Sequence, residues 1–156
     1  MDYTAITNEP GLIALFVIPL IWVVISYLTY RVGWRDMQMA YPAEPGTVTK
    51  RLGIVSGVIG ESTYTNALVL RYNENGLQLR PVIFFRLFQK PVFFPWKDIR
   101  EGKHTGYLLG QRKELVLGQP EQGRLVIRPS MFAEFETYLT MYAIPNHRTH
   151  RQSTPV

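Results

Sequence analysis

The residues of this chain that could do chemistry are few and scattered. His104, His147 and His150 are its only imidazoles. His147 and His150 stand three apart, which would offer two metal ligands on a helix, but Pro145 ends the helical pattern before them and no carboxylate lies nearby. With Arg148 and Arg151 they read as a polar, basic tail. Gly102-Lys103-His104-Thr105-Gly106 has the composition of a phosphate loop, yet it lacks the G-x-x-x-x-G-K-[ST] spacing and precedes a strand-like run. Ser56, Ser62, Asp98 and His104 supply the residue types of a triad without a spacing that joins them. There is no cysteine, which excludes a disulfide scaffold, an iron–sulfur cluster, a cysteine nucleophile and a thiolate zinc site. The expectation is a chain that is not an enzyme and carries no cofactor and no metal.

The densest chemistry is instead that of contact. Ile83 to Trp96 reads IFFRLFQKPVFFPW, with aromatic side chains crowded around Arg86 and Lys90. Phe84, Arg86, Phe88 and Lys90 are the candidate lipid or partner contacts: aromatics enter a bilayer interface while cations meet anionic headgroups, each worth about 1 kcal/mol near the surface. The plainer reading is two strands with both faces covered by protein. Pro95-Trp96-Lys97-Asp98-Ile99 combines an indole, a cation and a carboxylate, but reads more simply as a turn with Trp96 and Ile99 packed inward.

What must position such a surface begins at the N-terminus. Leu12 to Tyr30 carries no charge, and twelve of its residues are Leu, Ile, Val or Phe. As a helix it measures about 28 Å, near the thickness of a bilayer core. Its composition favours insertion by roughly 4 to 7 kcal/mol. Pro19 predicts a kink. A cleaved signal peptide needs a basic start, a shorter apolar core and a small-residue cleavage site, none of which is present. Tyr27, Tyr30, Arg31, Trp34 and Arg35 fall where a membrane interface would lie. Asp2 and Glu9 are the only charged side chains before Arg31, whereas 17 basic and 10 acidic side chains follow, a net charge of +7. That asymmetry places residues 1–11 outside as a short extracytoplasmic segment and the remainder in the cytoplasm. The mean hydropathy of −0.04 averages these unlike parts.

Residues 31–50, with Pro42, Pro45 and Gly46, read as a juxtamembrane connector, and 51–145 as a β-rich domain. Strands are expected near Leu52–Gly60, Ala67–Tyr72, Leu77–Arg80, Ile83–Phe88, Val92–Pro95, His104–Leu109, Glu114–Leu117 and Arg124–Arg128. Asn75-Gly76 supplies the positive-φ turn of a tight hairpin, and Gln119 to Gly123 joins a second. Pro129-Ser130 signals the start of a helix over 131–143, with Phe132, Phe135, Leu139 and Tyr142 on one face. Residues 146–156 complete the chain as a disordered basic tail.

Gly76-Leu77-Gln78-Leu79, Phe85-Arg86-Leu87-Phe88 and Pro95-Trp96-Lys97-Asp98-Ile99 together resemble the pattern of bacterial pleckstrin-homology-like (PH-like) and GRAM-like domains. The organisation is similar to that of uncharacterised bacterial single-pass membrane proteins carrying such a domain. The resemblance implies a PH-like split barrel or two-sheet sandwich of about seven strands capped by a C-terminal helix. It also implies a bacterial inner-membrane protein that binds rather than catalyses, its partner a membrane protein or an anionic lipid. An accessory subunit assembled through the helix, with Pro19, Trp22 and Ser26 facing another helix, is the alternative. The cations are scattered rather than clustered, so the sequence pI of 9.6 does not argue for nucleic acid.

Overall fold

The computed structural model describes residues 10–47, 49–102, 105–107 and 110–142. Helix α1 (Pro10–Thr29) is the apolar segment, about 30 Å long over its 20 residues. It runs unbroken through Pro19, and nearly all of its large apolar side chains from Ile13 to Leu28 are exposed. The helix over Ile13–Ala40 is long and apolar enough to cross a membrane.

The break falls further on. A π-helical segment (Tyr30–Trp34) contains non-helical angles at Val32 and Gly33, and α2 (Arg35–Ala40) follows it. Residues 31–40 are therefore not a loose connector: Trp34 and Met37 are each 0% exposed and belong to the domain core. The sequence pattern conceals this, because two buried side chains in six residues make too short a period to read.

The domain holds eight strands, β1 (Lys50–Ile59), β2 (Ser62–Asn73), β3 (Gly76–Pro81), β4 (Val92–Pro95), β5 (Ile99–Glu101), β6 (Thr105–Tyr107), β7 (Gly110–Leu117) and β8 (Gly123–Ile127). All pairs are antiparallel, in the order β4-β3-β2-β1-β8-β7-β5, with β6 added to β7 alone. The outermost strands, β4 and β5, are sequence neighbours joined only by the 3-10 turn Trp96–Asp98. Three residues of such a turn advance about 6 Å, so the sheet must curl until its edges nearly meet. The result is an antiparallel near-barrel. Strand β1 serves both halves, pairing with β2 along its length and with β8 over Ser56–Ile59. Register shifts between Arg51 and Gly53 and between Val55 and Gly57 mark bulges, which bend a strand sharply enough to do this.

The Asn75-Gly76 hairpin forms, but its turn is centred on Glu74 and Asn75, with Asn73 paired to Gly76. Asn73 Oδ1 accepts the N–H groups of Asn75 and Gly76. Gly76 is required for a different reason than backbone sign: a Cβ there would collide with the Phe94 carbonyl of β4. The second hairpin also forms, Leu115 facing Leu125 and Leu117 facing Gly123.

The expected single helix is two, α3 (Pro129–Ala133) and α4 (Glu136–Tyr142). Pro129 occupies the first turn, but Arg128 is the capping position and no side-chain cap bond is made. The break lets both Phe132 and Phe135 enter the core, where Trp96 stacks on Phe135 at 5.5 Å and on Tyr138 at 5.9 Å. Leu139 is buried, whereas Tyr142 points to solvent. Trp96 also donates through Nε1 to the Asn73 and Glu74 carbonyls, tying the near-closure of the barrel to the β2–β3 turn.

Ile83–Phe88 is not a strand. The N–H groups of Phe85 and Arg86 return to the carbonyls of Val82 and Ile83, closing a 3-10 turn that uses the donors a ladder would need. Strand β5 went unpredicted because a three-residue strand has no alternation to detect. His104, His147, His150 and the tail fall outside the described residues.

Candidate functional site

The junction between α1 and the barrel is built from three kinds of contact. The first is backbone on backbone, where the Gly60-Glu61 turn of the β1–β2 hairpin meets the kink of the helix and Glu61 donates its N–H to the Val32 carbonyl at 3.4 Å. The second is aromatic. Phe88 packs edge-on against Tyr27 at 5.6 Å and tilted against Tyr30 at 6.3 Å. Trp34 meets Tyr64 at 5.8 Å and donates from Nε1 to the Lys90 carbonyl at 2.9 Å.

The third is polar. Gln89 is 2% exposed, and its Nε2 donates to Thr29 Oγ1 and to the Tyr64 hydroxyl, both at 3.1 Å. Burial pushes the Tyr64 phenol above its ordinary value, and the Gln89 and Thr29 bonds offset part of that rise. Tyr64 thus stays protonated at neutral pH. Ser26, on the same helix face as Thr29, is fully buried, and its Oγ and the Gln89 Oε1 find no protein partner. Ser26 is therefore covered within this chain.

Just before Phe88, the 3-10 turn exposes Ile83, Phe84 and Leu87 by 69%, 66% and 51%. Phe85 turns the other way, onto Tyr64. Since Phe88 and Gln89 grip the last turn of α1, the three exposed side chains stand beside the end of the apolar helix. Arg86 and Lys90 flank them and are exposed.

The candidate contacts therefore separate. Phe84 is free, Arg86 donates from Nε to the Pro81 carbonyl at 3.1 Å, Phe88 is spent on the helix, and the Lys90 N–H donates to Gln38 Oε1 at 2.8 Å. Of the expected interface residues, Arg31 and Arg35 are exposed and Tyr27 and Tyr30 sit at the junction. Trp34 is a core residue instead. Ile83 and Leu87 escaped the sequence reading because alternation along a supposed strand sets them, with Phe85, on the face opposite Phe84, Arg86 and Phe88.

Among the described residues no three His, Asp or Glu side chains gather into a metal-binding group. No family model, no curated protein and no solved structure matches this chain.

Proposed function

We propose that this is a single-pass bacterial inner-membrane protein with its N-terminus outside. Its cytoplasmic PH-like domain is a non-catalytic binding module seated against the bilayer at a second point. The observation that carries this reading is the trio Ile83, Phe84 and Leu87, exposed beside the end of α1 and flanked by Arg86 and Lys90. Three large apolar side chains on one short turn are unfavourable in water and suited to a membrane interface, where neighbouring cations meet anionic headgroups.

The absence of cysteine makes the test direct. A nitroxide attached to Phe84→Cys in reconstituted full-length protein should be relaxed more by oxygen, which partitions into lipid, than by a water-soluble nickel chelate. A label on Thr137→Cys, exposed on α4, should show the opposite order. Equal water accessibility at both sites overturns the membrane contact. Shielding of position 84 from both relaxants would instead indicate a protein partner on the same surface.

A further inference from the structure

On the outer face of the barrel, β2 and β3 place Arg71 opposite Gln78, with Arg80 two residues further along β3. Their neighbours Leu70, Leu77 and Leu79 point into the core, so alternation alone turns Arg71, Gln78 and Arg80 outward together. Residues 42–47 then arch over this face, pinned where Pro42 bridges Val92, and Thr49 Oγ1 bonds Gln78 Oε1 at 3.2 Å beside them. Between them lies a cavity of about 530 Å³ lined by Arg71, Arg80 and Lys90 among others, with Glu44 the one carboxylate among the described residues that line it.

The cations of this cavity are unspent. Arg71 donates one N–H to the Thr49 carbonyl at 2.8 Å. Its Nε, like that of Arg80, is buried without a partner. Among the described residues neither arginine forms an ion pair, although Lys50, Lys113 and Arg124 all do. Burial, followed by the like charges of Arg86 and Arg71, draws the Arg80 guanidinium below its ordinary value. Each of those causes penalises a positive charge that has no counter-ion, and an anion would relieve it.

We propose that this cavity binds a phosphate group, carried either by a phospholipid headgroup or by a soluble phosphate ester. A carboxylate is satisfied by a single guanidinium fork. Three cations and the Gln78 amide converging on one cavity suit a group with more acceptor oxygens and more charge. Gln38 of α2 and Lys90 both line the cavity, and the Lys90 N–H donates to Gln38 Oε1 beside the helix junction. A headgroup beside α1 is thus within the domain's reach. The proposal rests on reading the domain as a binding module and gives that module a ligand chemistry.

The test uses full-length protein in two arms. In nanodiscs of phosphatidylcholine, glycerol 3-phosphate is titrated by calorimetry. In nanodiscs that also contain phosphatidylglycerol, native mass spectrometry counts the anionic lipid retained. Saturable binding is expected in at least one arm, and the arm that responds identifies the source. Arg80→Gln and Lys90→Gln should each weaken it by about tenfold or more, while Arg100→Gln, exposed on β5, should not. Absence of saturable binding in both arms overturns the proposal, as does equal binding by all three variants. Among the described residues the Arg80 side chain makes no hydrogen bond, so its loss leaves the fold standing, which thermal unfolding of each variant verifies. Failure here leaves the depth of a label at position 84 unchanged, so the two readings fail separately.

Discussion

Gly33 and Gly60 meet backbone to backbone: a Cβ on Gly33 would lie 2.9 Å from the Gly60 Cα, and one on Gly60 would lie 2.8 Å from the Gly33 Cα. Both have positive φ, at 152° and 56°. The helix leaves its axis at one glycine and the β1–β2 hairpin turns at the other, so helix and barrel meet where neither backbone carries a side chain. Gly33→Ala and Gly60→Ala should each destabilise the domain by about 1–3 kcal/mol through strain and collision. Denaturant unfolding in mild detergent, followed by near-ultraviolet circular dichroism, measures this, and a midpoint equal to wild type would show that the contact tolerates a methyl group.

Trp34 and Met37 reach the core from the helix side. Trp34→Ala should cost about 3–5 kcal/mol, since it empties the space of an indole and leaves the Lys90 carbonyl without its donor. For the same reason a fragment of residues 31–142 should give a cooperative unfolding transition and a fragment of 50–142 should not. Cooperative unfolding of the shorter piece would place the stabilising core in the barrel alone.

Gln89 bonds α1 through Thr29 and the barrel through Tyr64 with one amide group. Gln89→Leu should remove both bonds and take from the buried Tyr64 hydroxyl its Gln89 partner, a cost of about 1–3 kcal/mol, and loosen the angle between helix and domain. Pulsed electron resonance between labels on Val24→Cys and Thr137→Cys should show a broader distance distribution in this variant. An unchanged width would assign the rigidity to the glycine and aromatic contacts.

Lys50 and Glu134 pair at 2.7 Å, and the Tyr72 hydroxyl donates to the same carboxylate. These bonds, the Lys50 hydrogen bond first, hold the Glu134 carboxyl below its ordinary value of 4.5. A carboxyl lowered in the folded state adds stability above its unfolded pKa and loses that increment as pH falls through the folded value. Glu134→Gln should therefore flatten part of the fall in melting temperature between about pH 5 and pH 3. Both side chains are largely exposed, so the effect should be small and shrink with added salt. Identical acid limbs in variant and wild type would show that the pair adds nothing measurable.

The extent to which the sequence disclosed these features follows from the range of each signal. The apolar helix and both hairpins are local patterns, carried by an uncharged run and by turn residues, and they were legible. The buried Trp34 was not, because its burial depends on a barrel whose strands begin at Lys50. The aromatic run from Ile83 to Phe88 looked like a strand by composition, and only the structure sends Phe84 outward, Phe85 to Tyr64 and Phe88 to the helix. The arginine cavity was invisible for a related reason: Arg71 and Arg80 meet through cross-strand register, and the segment that roofs them carries no periodic signal.

The core position of Trp34 and Met37 also fixes an order of assembly. These residues are synthesised about a hundred positions before Leu139, which completes the same core. At about 5–20 residues per second, α1 is made and available for insertion several seconds before the last strand exists. With α1 inserted as proposed, the barrel is finished around a side chain already held at the membrane surface, and its folding is a step in the biogenesis of the anchored protein rather than an event in free solution.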